Sequence, residues 1–183
     1  MALTATIFRF EISLSDIDRE VYETLELRVA QHPSETDTYL VTRVLARALE
    51  HRQGLDFGRG ISVPEDPPLS ALDERSNIDL WIEIGQPSAD RLHKVTKRSE
   101  KVCVYTHKNP EPLLAQLGEE STVHRAEEIV VVALDADFIA DLAGRLNRTN
   151  RWDILRSDGV LYVTVDDETF QTTPTVFDRR EIA

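Results

Sequence analysis

Residues 78–85 read Ile-Asp-Leu-Trp-Ile-Glu-Ile-Gly, and no other run constrains the fold as tightly. Ile78, Leu80, Ile82 and Ile84 fall on one face of an extended segment, with Asp79, Trp81 and Glu83 on the other, which is the two-residue period of a strand. A carboxylate set among isoleucines is costly to desolvate unless it meets a partner. The neighbouring element must therefore supply one. Asp79 and Glu83 point the same way but stand roughly 13 Å apart at ~3.3 Å per residue, too far to share one metal. Glu83 then has two options. It can join a second acid, Asp66 or Glu65 being nearest in sequence, in a site for a hard cation such as Mg²⁺ beside a phosphate. Otherwise it pairs with an Arg or Lys of a helix as a structural ion pair.

The same two-residue period runs through residues 21–29, with Val21, Leu25, Leu27 and Val29 on one side. Residues 3–13, rich in Thr, Ile and Phe, read alike, and Ser15, Asp16, Ile17 and Asp18 supply the turn of a hairpin. A helix is expected from Ser34, as N-cap with acids in the first turn and Asp37 at the third helical position, to about His51. Its buried face comprises Leu40, Val44, Leu45, Ala48 and Leu49. Residues 55–63, which include Gly58 and Gly60, suit short irregular strands, broken by Pro64, Pro67 and Pro68. Pro87 ends the strand at 78–85, and residues 88–100 follow as an amphipathic helix with Leu92, Val95 and Ser99 facing inward. Residues 102–105 and 129–134 are apolar enough for strands covered on both faces, with a short helix at 110–117 between them. Asp135 caps a helix that carries Phe138, Leu142 and Leu146, and Asp158-Gly159 joins residues 151–156 to 160–165 as a hairpin. Strands and helices that mix without regular alternation specify an α/β (α+β mixed) fold, expected as a single domain over residues 1–183.

Charge narrows the function classes. The chain has 21 Lys+Arg against 33 Asp+Glu, a net charge of -12, which argues against coating nucleic acid by bulk electrostatics. The charge is uneven, however: residues 91–108 hold six bases and one acid, a local +5 on a body of -17. Arg91, Lys94, Arg98 and Lys101 recur at helical spacing, so the island is expected to be one helix face. Such a face either contacts phosphates of a nucleic acid or is simply solvated, with cations near the helix C-terminus. The longest apolar run, residues 129–134, is far short of the ~18 residues of a membrane span. The start of the chain lacks a basic region followed by an apolar one, and a lone Cys103 forbids an internal disulfide. A cytoplasmic protein without a membrane partner is expected. Neither a phosphate-cradling GxxxxGK[ST] nor a GxSxG context occurs, and His32 has no second histidine at metal-motif spacing.

Four runs together resemble the YaeQ family over essentially the whole chain: MALTAT at the start, HPSET from His32 to Thr36, LWIEIGQP from Leu80 to Pro87, and VYT from Val104 to Thr106. The resemblance implies a restriction-endonuclease-like fold, the scaffold of PD-(D/E)xK nucleases: a mixed central sheet flanked by helices, with additional β-hairpins. It implies no particular activity. Carried over position by position, the acid of the first helix is Glu35, the aspartate of the PD element is Asp66, which here precedes Pro67, and the (D/E) position is Glu83. The lysine two residues on is replaced by Gly85. Gln86 would share the face of Glu83 only through a bulge at Gly85, and Lys94 on the next helix is the other substitute.

In a working site of this kind, Glu35, Asp66 and Glu83 would hold Mg²⁺ or Mn²⁺, which activates water and polarises the phosphate. Gln86 can orient that water but brings no positive charge, and loss of the lysine is expected to cost about 10²-fold or more in rate. Two functions follow. One is a metal-dependent phosphodiesterase or nuclease-like protein with Glu83, Gln86 and Lys94 as catalytic groups and Arg91, Lys94, Arg98 and Lys101 on the nucleic acid. The other is a non-catalytic nucleic-acid or protein interaction module on a degenerate nuclease fold.

Overall fold

A computed structural model of the chain describes residues 4–59, 63 and 65–181. Leu3, Gly60 and Pro64, on which expectations from the sequence also fall, lie outside the described residues. Two mixed sheets and four α-helices make up the α+β fold.

The N-terminal hairpin forms as its alternation requires. β1 (Thr6–Asp16) pairs with β2 (Val21–Gln31) in unbroken antiparallel register over all eleven residue pairs. Near the other end of the chain, Asp158 (φ 52°) and Gly159 (φ 77°) adopt the left-handed conformation that a two-residue turn needs. They join β8 (Thr149–Ser157) to β9 (Val160–Val165), and β10 (Glu168–Thr172) follows. Parallel pairing of β1 with β8 fuses the two hairpins into a five-stranded sheet of order β10-β9-β8-β1-β2. Along β1, Phe8, Phe10, Ile12 and Leu14 are buried while Arg9, Glu11 and Ser13 are exposed, so one face meets the core and the other meets solvent.

The second sheet has six strands in the order β11-β7-β6-β5-β4-β3: β3 (Asp56–Phe57), β4 (Leu69–Leu72), β5 (Ile78–Ile84), β6 (Ser99–Thr106), β7 (Val130–Ala133) and β11 (Thr175–Phe177). β5, β6 and β7 run parallel, and the outer strands are antiparallel to their neighbours. Helix α1 (Asp37–Leu49) packs on β1, β5 and β6, so it lies between the sheets. Nine of its thirteen residues are buried, as expected for a helix enclosed by the core rather than lying on the surface. Leu40, Val44, Leu45 and Ile82, Ile84 share one apolar cluster with Phe10, Ile12 and Trp152. On the opposite face of the six-stranded sheet a second cluster joins Trp81, Val102 and Val104 to Leu92 and Val95 of α2 (Ala89–Thr96) and Leu113 of α3 (Glu111–Gln116). The fourth helix, α4 (Ala136–Ala143), is capped by Asp135, whose side chain accepts the Phe138 N–H.

Several boundaries differ from expectation. Thr36, not Ser34, caps α1: its side chain accepts the Tyr39 N–H, while the Ser34 hydroxyl lies 2.6 Å from His32 Nδ1. Glu35 therefore precedes the helix. α2 stops at Thr96, and Ser99 opens β6 opposite Ile78, so Arg98 and Lys101 lie beyond the helix and the basic residues do not form one helical face. A register shift opposite Ala71/Leu72 places Ile78 against the α2-side cluster, away from Leu80 and Ile82. β4, β10 and β11 are strands that the apolar pattern does not announce.

Candidate functional site

Glu83 sits near the end of β5, on the face that α2 covers. Its side chain is buried, and Oε1 accepts hydrogen bonds from Trp81 Nε1 and from Arg91 Nε, both at 2.7 Å. The local sequence explains the first: residues two apart on a strand share a face. The second follows from Ser88, whose hydroxyl accepts the Arg91 N–H and starts α2 so that its first turn lies over β5. Burial raises the Glu83 pKa above the ordinary carboxylate range, with the Arg91 charge and the Trp81 and Arg91 hydrogen bonds opposing it. The Arg91 and Arg98 guanidinium carbons each lie 5.2 Å from the centroid of the Trp81 ring, within range of a cation–π attraction.

The same arginines anchor the 65–66 segment. Arg91 Nη2 donates to the Asp66 carbonyl (2.9 Å), and Arg98 Nη1 donates to the Glu65 carbonyl (3.1 Å) with the Glu65 carboxylate at 3.6 Å. The Asp66 carboxylate accepts from Arg59 through both oxygens. That hydrogen bond is the main cause holding Asp66 below the ordinary carboxylate range.

Glu35 occupies a third environment, the tight turn before α1. Oε2 accepts the His32 N–H at 3.2 Å, and Oε1 lies 3.0 Å from Arg43 Nη2. That ion pair is close in distance, yet Oε1 lacks hydrogen-bond geometry to any partner. Arg43 is 1% exposed; it also donates to the Ala30 carbonyl at 2.8 Å and stacks over Phe57. Burial pushes the Glu35 carboxyl up against the opposing Arg43 charge. Tyr39, one turn into α1, is pushed up to about 12, chiefly by burial, and feels the charges of Arg43, Glu35, Glu83 and Arg91. Each of the two buried acids keeps its own arginine, Arg43 for Glu35 and Arg91 for Glu83.

The remaining candidates are dispersed. Pairing of β5 with β6 is regular from Leu80–Lys101 to Ile84–Tyr105, so no bulge brings Gln86 beside Glu83. Gly85 leaves the strand at φ +87°, and the exposed Gln86 donates its amide to the Asn109 carbonyl at 2.8 Å. Lys94 projects from α2 into solvent and Lys101 from the start of β6. Arg91 is half-buried against Glu83, and Arg98 is exposed. Among the described residues, no group of three or more His, Cys, Asp or Glu is placed to hold a metal ion. A resident Mg²⁺ needs several oxygen ligands in near-octahedral array; here a guanidinium already neutralises each of Glu35, Asp66 and Glu83. The donor set as arranged does not fit that ion.

Sequence reasoning did not single out Arg43, Tyr39 or Arg59. Arg43 was detectable, because it falls between Leu40 and Val44 on the apolar side of a helix, where a charge requires a partner. Arg59 was not, since its role comes from a loop contact seven residues away. No helix among the described residues is long and apolar enough to cross a membrane.

The family model described as YaeQ protein matches residues 1–174. The uncharacterized protein YaeQ of Escherichia coli (strain K12) is 27% identical over 177 residues, covering 97% of this chain and 98% of that protein. Its counterpart from Salmonella typhi is 28% identical over 164 residues, covering 90% and 91%. The crystal structure of the YaeQ protein from Xanthomonas axonopodis pv. citri superposes with a TM-score of 0.86 at 34% identity, covering 96% of this chain and 99% of that one. The Pseudomonas syringae YaeQ structure gives 0.85 at 30% identity, covering 94% and 95%. Similarity over nearly the full length, in sequence and in fold, places this chain in the YaeQ family.

Proposed function

We propose that this chain is a non-catalytic nucleic-acid-binding protein on a restriction-endonuclease-like scaffold. The observation that carries the reading is the Glu83–Arg91 pair: the acid at the (D/E) position is held at 2.7 Å by a guanidinium and capped by the Trp81 indole. A carboxylate neutralised in this way supports the scaffold and is not available as a metal ligand. Exposed Lys94 on α2 and Lys97 at its C-cap lie between Arg91 and Arg98, which bind the 65–66 loop, and supply a small cationic surface on an acidic body, suited to a limited phosphate contact; Lys101, paired with Leu80, belongs to the other face of the sheet. In this reading Arg91 and Arg98 set the shape of the surface and the lysines meet the phosphates. The protein works in the cytoplasm as one domain.

Metal-dependent phosphodiesterase activity is the second reading, supported by the burial of two acids, Glu35 and Glu83, at positions that match the nuclease pattern. It requires Glu35, Asp66 and Glu83 to release Arg43, Arg59 and Arg91 in favour of Mg²⁺ or Mn²⁺. Fluorescence anisotropy with single-stranded DNA, duplex DNA and RNA across a salt series tests the binding reading. Affinity should fall as salt rises, and Lys94→Glu with Lys97→Glu should weaken it by roughly tenfold or more at fixed salt. Absence of binding at low salt, or binding unchanged by the double substitution, would refute it.

A further inference from the structure

β2 forms one edge of the five-stranded sheet. Natural edge strands are usually short, bulged, or broken by Pro or Lys, because an open edge is a template for another strand. β2 is eleven residues long, has none of those residues, and pairs with β1 without a bulge. Leu25 and Val29 are buried on its core side and Leu27 is half-buried, while Tyr22, Thr24, Glu26, Arg28 and Ala30 are exposed.

The exposed charges are mismatched within the chain. Glu26 stands directly opposite Glu11, and Arg28 directly opposite Arg9, which is unfavourable for cross-strand neighbours. Glu11 is answered by Arg151 of β8 at 3.4 Å. Neither Glu26 nor Arg28 has an ion-pair partner among the described residues.

We propose that β2 pairs antiparallel with β2 of a second copy of this chain, about a two-fold axis at Leu27. In that register Leu27 opposes Leu27, Leu25 opposes Val29 on the core side, and Glu26 opposes Arg28 twice on the solvent side. Charge selects this alignment. A shift of the axis by one residue, to Glu26 or to Arg28, sets two glutamates or two arginines face to face, and an odd offset turns the apolar side to solvent. At one end the Ala30 carbonyl already accepts from Arg43, and the chain turns at Pro33, so the ladder runs from Leu25 to Val29 and is centred on the axis. Both copies' sheets become one continuous sheet. The contact is confined to one strand, at the small end of specific interfaces, so the dimer is concentration-dependent.

Sedimentation velocity on the full chain, over a series reaching the high-micromolar range, tests this. The wild type should pass from monomer to dimer. Glu26→Arg and Arg28→Glu each put like charges opposite each other twice, and each should weaken dimerisation by roughly tenfold or more. In an equimolar mixture of the two variants, a dimer with one copy of each again sets opposite charges across the axis at both places where positions 26 and 28 meet. The mixture should recover a dimer at least as tight as the wild type. Each substitution also relieves a like-charge opposition with β1, so the variants should melt no lower than the wild type, and a lost dimer is then not lost folding. A wild type that stays monomeric throughout, single variants that dimerise as well as wild type, or a mixture no tighter than its components would each overturn the proposal.

Discussion

The six-stranded sheet is covered on both faces around β5 and β6, whereas the five-stranded sheet covers one face and opens the other to water. Charge is handled accordingly. On β5 the carboxylate of Glu83 is enclosed and has its own guanidinium and indole donors. On β1 and β2 the charges lie in solvent and tolerate like neighbours, Glu11 against Glu26 and Arg9 against Arg28. The difference follows from dielectric: an unpaired charge is expensive where water is excluded and cheap where it is not. Enclosed ion pairs therefore shape the candidate site, and open ones leave a strand edge free for association.

The sharpest way to break this contrast is to remove one partner of an enclosed pair. Arg43→Ala, whose side chain and that of Glu35 are 1% and 0% exposed, should lower the unfolding free energy by about 3–5 kcal/mol, and the half-buried Arg91→Ala by about 2–3 kcal/mol, in urea denaturation. Trp81→Phe keeps most of the ring volume and deletes one donor to Glu83 and a cation–π platform; a loss of about 2 kcal/mol is expected. A smaller effect separates the two capping residues: Thr36→Ala should cost about 1 kcal/mol, and Ser34→Ala less than ~0.5 kcal/mol. Equal costs for the two would contradict the N-cap assignment.

Acid–base behaviour sharpens the contrast without changing shape. Burial raises the Glu83 pKa against the opposing Arg91 charge, so between the unfolded and the folded value the folded state binds more protons than the unfolded chain. The associated stability is complete below the unfolded value of about 4.3 and is lost as pH rises through the raised folded value. Asp66 behaves oppositely: Arg59 lowers its pKa, and its contribution is present above the ordinary aspartate range and lost as pH falls through the lowered value. Melting temperature followed against pH should therefore show a flatter decline above about pH 4.3 in Glu83→Gln and a flatter acid limb in Asp66→Asn. A Glu83→Gln profile parallel to wild type would contradict the buried-acid assignment.

Much of this arrangement was legible in the residues. Alternating isoleucines mark β5, the Asp158-Gly159 pair marks its hairpin, and Asp135 caps its helix as its side chain allows. The pairing of Glu83 with a basic residue of the following helix was one of two options that the sequence left open. Other features depend on contacts distant in sequence. Ser99 has the spacing of a helical position, yet pairing of β6 beside Ile78 draws it into a strand, because a ladder along β5 outweighs one more helical turn. β10, with the sequence ETFQT, has little apolar alternation and forms because β9 offers an edge. The parallel union of β1 with β8 joins residues some 140 apart, which no local pattern encodes.

In the proposed reading, Arg91 holds Glu83 at 2.7 Å and so withholds it from metal ions. Incubating the protein with single-stranded, duplex and branched DNA and with RNA in Mn²⁺, with Glu83→Ala as the control, measures this most directly. The expected result is no cleavage above the control for any substrate. Cleavage by the wild type that disappears in Glu83→Ala would contradict the account.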